Sequence, residues 1–209
     1  MTGTILAAGI EGRGGTRVFE VNARRCRRRS MNFITNRDHK LMRRVNQWRP
    51  PRWVRLWALW ATRAGDGWLW YAVGLLILLF GGEQRFLAIG SAALAAGSGV
   101  AIFLNVKKAT GRRRPQCFEP HCWANLLPPD QFSFPSGHTI TAFAVAVSVS
   151  RFYPGVSGWL LFCAMSIAAS RILLGMHFLS DVLAGAAIGA GLAYASAWML
   201  YTAGSGWQL

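Results

Sequence analysis

FLAIGSAALAAGSGVAIFLNVKKATGRRRP, from Phe86 to Pro115, holds an apolar run ending at Leu104, followed at once by Lys107, Lys108, Arg112, Arg113 and Arg114. A helix that crosses the hydrocarbon core of a bilayer needs roughly 20 residues, with about 17 at the short end. Phe86 to Leu104 reaches that length without one ionisable side chain, so it reads as a transmembrane helix that emerges among cations. Further apolar segments run from Trp68 to Phe80, Thr139 to Tyr153, Val156 to Ala169 and Val182 to Tyr201. The last is long enough by itself. The other three lengthen once their flanking Gly, Ser and aromatic residues are counted, and a packed bundle tolerates mismatch. The pattern predicts an all-α fold: a polytopic transmembrane helical bundle of about five spans. Gly185 and Gly189 put a small-xxx-small pair on the last helix, which permits close approach of a neighbour but is common in Gly- and Ala-rich helices.

Composition agrees with a membrane protein. The chain of 209 residues is 53% hydrophobic, with ten Trp and a net charge of +15, and its mean hydropathy is +0.27. A basic balance can mean nucleic-acid binding, but these apolar stretches are too long and too poor in charge for a soluble binding domain. No nucleic-acid partner is expected; anionic membrane lipids are. Four scattered cysteines, Cys26, Cys117, Cys122 and Cys163, do not make a disulfide scaffold. Ile5 to Ile10 is apolar but too short and without a basic segment before it, so no secretory signal is read there.

Three regions follow. Residues 1–35 mix Gly, Ala and Arg without periodicity and include the basic run Arg24 to Arg29, which predicts disorder. Residues 36–66 alternate cations with tryptophans: Trp53, Trp57 and Trp60 share one helical face, with Arg52, Arg55 and Arg63 as anchors, so an amphipathic interfacial region is expected. A basic helix packing its Trp face on the rest of the protein fits that spacing equally. Residues 67–209 hold the bundle.

Ionisable groups are expensive inside a membrane, and here they gather at helix ends. Lys107 to Arg114 follow the second span, Ser136, Gly137 and His138 open the third, Arg171 closes the fourth, and His177 and Asp181 straddle the start of the fifth. Alternating direction puts all of them on one membrane face. Taken singly, each has a bland explanation: a histidine or Ser-Gly as helix cap, Asp181 as a first-turn carboxylate, the basic run as a lipid-headgroup loop. Together they converge cations and two histidines where acids are few, which is a site for an anion. His177 and Asp181, four apart, share a helical face, so the carboxylate can fix the imidazole tautomer and free its other nitrogen to attack. Arg offers a planar fork for phosphate oxygens, Lys a point charge, and the Gly137 amide a donor at a helix N-terminus. Cys117, His121 and Cys122 make three neighbouring metal-ligand candidates without a fourth, so no metal site and no cofactor is expected.

Lys107…Arg114-Pro115, Pro135-Ser136-Gly137-His138 and Ser170-Arg171…His177…Asp181 reproduce, in order, K-x6-RP, PSGH and SR-x5-H-x3-D. These resemble the three signature motifs of the phosphatidic acid phosphatase type 2 superfamily. The resemblance implies a metal-independent lipid phosphatase. His177 would attack phosphorus to form a phosphohistidine, Asp181 would orient it, and His138 would protonate the leaving oxygen. Lys107, Arg114, Ser136, Gly137 and Arg171 would hold the phosphoryl oxygens. It also implies a lipid phosphate or diphosphate substrate, with undecaprenyl diphosphate first and phosphatidylglycerophosphate or phosphatidic acid next. Many membrane members have six spans; here a basic segment stands where the first would be. The superfamily fold also serves soluble vanadium-dependent haloperoxidases, which the spans argue against. A non-catalytic lipid-binding protein would need neither both histidines nor Asp181. The expected location is the bacterial inner membrane. The excess of Lys and Arg on the site's face points that face to the cytoplasm, whereas a Cys117–Cys122 disulfide would favour the exterior.

Overall fold

The computed structural model describes residues 33–118 and 131–205. Among these residues seven α-helices follow in order: α1 Phe33–Gln47, α2 Arg52–Ala64, α3 Trp68–Phe80, α4 Arg85–Thr110, α5 Gly137–Phe152, α6 Ser157–Leu173 and α7 Leu179–Ser205. The described residues contain no strand, only one isolated bridge between Arg113 and Phe132. The disorder expected for residues 1–35 lies outside the described residues up to position 32, and α1 then takes in positions 33–35. No Gly or Pro interrupts the chain between Phe33 and Gln47, so nothing stops the helix from reaching back that far.

Chain chemistry sets the breaks. Pro50 and Pro51 separate α1 from α2, with Pro51 extended at the N-cap. Gly111 takes the left-handed conformation, φ 57°, that ends α4 after its basic last turn. Gly175, at φ 67°, breaks the chain between α6 and α7, returning it from Arg171 to His177 within a few residues. Pro154 ends α5, and the Tyr153 hydroxyl donates to the Gly81 carbonyl at 2.7 Å, tying the far ends of α3 and α5.

α5 is the central helix, packed against α4, α6 and α7, and its Ile140, Ala142, Ala144 and Ala146 are wholly buried. α7 comes closest to it through the glycine pair. A Cβ on Gly189 would lie 2.4 Å from the Ile140 carbonyl oxygen, and one on Gly185 2.8 Å from that of Ser136. The small-xxx-small pair is therefore the seam of the bundle. Between α4 and α7, buried Ser91 and Ser196 share a hydrogen bond at 3.1 Å, while Trp159, Phe162, Met165, Leu183, Trp198 and Tyr201 face outward. Polar groups paired inside and large apolar ones outside is the arrangement lipid favours.

Among the described residues three helical stretches are long and apolar enough to cross a membrane: Gly82–Thr110, Pro154–Leu173 and Leu179–Thr202. The other two expected spans differ. α3 pairs with α2 across a 62° bend, and the two make a fourth span only if taken together. α5, with 16 residues, is ~24 Å long at 1.5 Å per residue. Its central position explains the shortness, since other helices rather than lipid surround it.

Candidate active site

The end of α4, the loop after it, the start of α5, the end of α6 and the start of α7 all lie at one end of the bundle. Lys107, Arg114, Gly137, His138, Arg171 and His177 line a single cavity of about 1120 Å³. Ser136 and Asp181 do not line it; both are fully buried behind it. The Ser136 hydroxyl accepts a hydrogen bond from Thr139 at 2.9 Å, and its amide donates to the Asp181 carbonyl at 3.1 Å, which fastens the start of α5 to α7.

His177 is 2% exposed. Its Nδ1 lies 2.6 Å from the Ser133 carbonyl oxygen. A carbonyl only accepts, so Nδ1 carries the proton and Nε2 keeps its lone pair. Nε2 sits 3.4 Å from Arg114 Nη1, and the same Nη1 donates to the Met176 carbonyl at 2.9 Å. Burial pushes the imidazole down to about 4; the Asp181 carboxylate opposes this, and the Arg171 and Arg114 charges add to it. The nitrogen facing Arg114 is thus an unprotonated base at neutral pH.

The carboxylate expected to orient His177 is engaged elsewhere. Asp181 Oδ2 is 3.8 Å from His177 Nδ1 but accepts the Phe178 amide at 2.8 Å, while Oδ1 accepts Arg112 Nη1 at 2.6 Å. The physical reason is local: a carboxylate in the first turn reaches back to the amide just before its helix, as in a capping box. Ser133 takes over the tautomer-fixing role. Arg112 in turn donates Nη2 to Asp38 at 2.7 Å, and its guanidinium lies 4.4 Å from the Phe178 ring centroid. Asp38, from α1, also accepts the Ser180 amide at 3.3 Å and the Ser180 hydroxyl. The start of α7 is therefore capped by two carboxylates, one from its own turn and one from α1.

Two further residues reach the site from the segment expected to be interfacial. Thr62 of α2 accepts Arg171 Nη1 at 2.7 Å, and Asp66, in the turn between α2 and α3, lies 2.9 Å from His138 Nε2. α2 is seated for this by Ala58, which packs with Leu174 and Met176, while Trp53 and Trp60 point outward. Asp38, Asp66, Thr62 and the Ser133 carbonyl were not legible as site groups, and Arg112 was legible only as one of the basic run, not as the partner of Asp38 and Asp181. They lie far along the chain from their partners, and a backbone acceptor has no residue-type signature. Cys117 is a free thiol; His121 and Cys122 lie outside the described residues.

Among the described residues the cavity wall carries three buried cations, Lys107, Arg114 and Arg171, against one carboxylate, Asp66. From that polar end the cavity continues between α3 and α4 along Val73, Ile77, Leu78, Ile89, Ala93 and Val100. Cations beside a neutral imidazole, opening into an apolar channel, can take a phosphate on a long apolar chain.

The sequence profile of the PAP2 superfamily matches residues 85–205, the whole of α4 to α7. Decaprenylphosphoryl-5-phosphoribose phosphatase of Mycobacterium tuberculosis is 36% identical over 126 residues, 59% of this chain and 66% of that protein. Lipid A 1-phosphatase of Rhizobium johnstonii is 34% identical over 89 residues, 41% of this chain and 36% of that one. The chain thus spans just under two thirds of the first relative and about a third of the second. Among solved structures, LpxE of Aquifex aeolicus superimposes with a TM-score of 0.63 at 27% identity, covering 75% of this chain and 92% of that chain. The PAP2-type phosphatidylglycerolphosphate phosphatase of Bacillus subtilis superimposes at 0.60 and 21% identity, covering 87% and 91%, a likeness of fold.

Proposed function

Because the chain belongs to the PAP2 superfamily, we propose that it hydrolyses a phosphate or diphosphate ester on a long-chain lipid through a phosphohistidine. The observation that carries this is the single cavity joining His177, Lys107, Arg114 and Arg171 to the apolar channel between α3 and α4. His177 Nε2 attacks phosphorus; Lys107, Arg114, Arg171 and the Gly137 amide at the start of α5 stabilise charge on the equatorial oxygens. His138 protonates the leaving oxygen and then takes a proton from the attacking water. Asp181 and Ser136 act from behind the wall, holding the loop of His177 and the start of α5. No metal enters these steps.

The channel runs from Lys107 to Phe86 along α4, ~30 Å at the helical rise, which suits a polyprenyl or comparably long chain. Two of the relatives are named as phosphatases of lipid substrates, decaprenylphosphoryl-5-phosphoribose and lipid A. Undecaprenyl diphosphate is the first substrate to try, then phosphatidylglycerophosphate and phosphatidic acid. The test is phosphate release from this panel by purified protein, wild type against His177→Ala. Release by wild type and none by the variant, with both folded, is expected; near-equal release excludes the nucleophile, and no release from any lipid favours a non-catalytic lipid binder.

The site would face the cytoplasm of a bacterial inner membrane. Asp38 holds α1, with Arg37, Lys40, Arg43 and Arg44, at the site's end, whereas Arg85 and Arg151 mark the opposite end, an asymmetry the positive-inside rule reads as cytoplasmic. Cys117, beside the site, reports it: labelling in intact cells by a membrane-impermeant thiol reagent would reverse the assignment.

A further inference from the structure

We propose that Asp66 is the positioning residue of the general acid: it fixes the proton of His138 on Nε2, so that Nδ1 is the nitrogen that serves the leaving oxygen. The inference rests on the phosphatase reading above and adds a residue that none of the three motifs contains. His138 Nε2 and Asp66 Oδ1 are 2.9 Å apart. A carboxylate accepts, so the shared proton belongs to Nε2. The same edge of the ring is held by the turn itself. A Cβ on Gly65 would lie 3.0 Å from His138 Cδ2 and 2.8 Å from Ile167 Cγ2, so the backbone at position 65 already fills the space between α5 and α6. With the Cδ2–Nε2 edge against the turn, the Nδ1–Cε1 edge faces away from it.

The turn is built to hold this position. Gly67, at φ 118°, takes a conformation other residues avoid. The Asp66 amide donates to the Arg63 carbonyl at 3.0 Å and that of Gly65 to Ala61 at 3.1 Å, which closes the end of α2. Thr62, one turn earlier, is bonded to Arg171. Asp66 itself is 63% exposed at the cavity mouth, so nothing in packing requires a carboxylate there. Among the described residues its side chain pairs with His138. Burial, and then the charges of Arg171 and Arg114, hold the imidazole below its ordinary value, and Asp66 is the negative charge that opposes them and favours the second proton an acid must carry. The arrangement parallels the carboxylate that orients histidine in hydrolytic triads, transferred from the base to the acid.

The proton accounting is closed. In the first half-reaction His177 Nε2 bonds to phosphorus, the bond to the leaving oxygen breaks, and the Nδ1 proton of His138 passes to that oxygen. In the second, water attacks phosphorus, the P–N bond breaks with its electron pair returning to His177, and the water proton goes to His138 Nδ1. Asp66 neither gains nor loses a proton.

The test uses leaving groups, because an activated aryl phosphate needs little protonation and a lipid alkoxide needs much. The purified full-length protein is assayed on phosphatidic acid and on p-nitrophenyl phosphate, as wild type, Asp66→Asn, Asp66→Ala, His138→Ala and the Asp66→Asn/His138→Ala double variant. For both Asp66 variants kcat on phosphatidic acid is expected to fall about tenfold to a hundredfold, with KM within about twofold, and much less on the aryl phosphate. In the His138→Ala background Asp66→Asn should cost nothing more. Equal losses on both substrates, additive losses in the double variant, or no loss from the Asp66 variants overturns the inference. If His138→Ala itself lacks leaving-group dependence, the general-acid reading fails first, and the two failures are thereby told apart.

Discussion

At the residue scale, the burial of His177, the proposed nucleophile, bears on stability. Its imidazole is held down to about 4 in the folded protein against an ordinary 6.5, chiefly by burial. A group whose folded value is depressed contributes stability that is complete above pH 6.5 and is lost as pH falls towards 4, because only the unfolded chain takes up the proton in that interval. The loss amounts to about 3 kcal/mol. Thermal unfolding in detergent should therefore show a midpoint falling between pH 6.5 and 4, and His177→Gln should flatten that slope. An unchanged slope would mean that His177 is not buried neutral. The three motifs could be read because they use rare ionisable residues at helix ends. What they did not reveal is which atom meets which. Asp181 and His177 at a four-residue spacing predict a direct bond, yet the amide of Phe178 and the guanidinium of Arg112 take the carboxylate first. A spacing rule knows the side chains on a helix but not the backbone donors at its end.

At the element scale, α5 and α7 show what a glycine pair does when it is used. Gly189→Ala puts a methyl group 2.4 Å from a backbone oxygen, so the helices must part, at a cost of about 1–3 kcal/mol. Gly191→Ala, on the same helix with nothing within 4 Å, should leave the unfolding midpoint unchanged or raise it. A Gly189→Ala midpoint no lower than that of Gly191→Ala would show that the seam accommodates the methyl group at no cost. The α1 segment makes a second case. Asp38→Ala leaves Arg112 with one carboxylate and strips the cap from Ser180, a loss of about 3 kcal/mol by analogy with broken buried pairs. Because those groups brace the loop carrying His177, turnover should drop with it, and Asp38→Asn should lie between. A variant as active and as stable as wild type would show α1 to be a passenger. Apolar length made the helices of the bundle legible, but the role of α2 was hidden. Trp53 and Trp60 describe the outward face, whereas Trp57, Thr62, its Ala58 face and the Asp66 turn work inward.

At the scale of the whole molecule, most Lys and Arg of the described residues lie towards the end of the bundle that holds the candidate site, with Arg85 and Arg151 at the other. The proposed mechanism stabilises the anion with Lys107, Arg114 and Arg171 and uses no divalent ion, so phosphate release should survive excess EDTA. Orthovanadate should inhibit competitively, because its trigonal-bipyramidal adduct on His177 resembles the transferring phosphoryl group. Loss of activity in EDTA, restored by one divalent ion, would replace this mechanism with a metal-assisted one. The parting of α3 from α4 has a consequence for how such a protein would be measured. A channel open between two helices admits a substrate sideways, from the leaflet, so the concentration that matters is the mole fraction of substrate in the membrane and not its molarity in the tube. Diluting the lipid with inert detergent at constant total substrate would then slow the reaction, whereas a water-soluble aryl phosphate would be indifferent to the dilution.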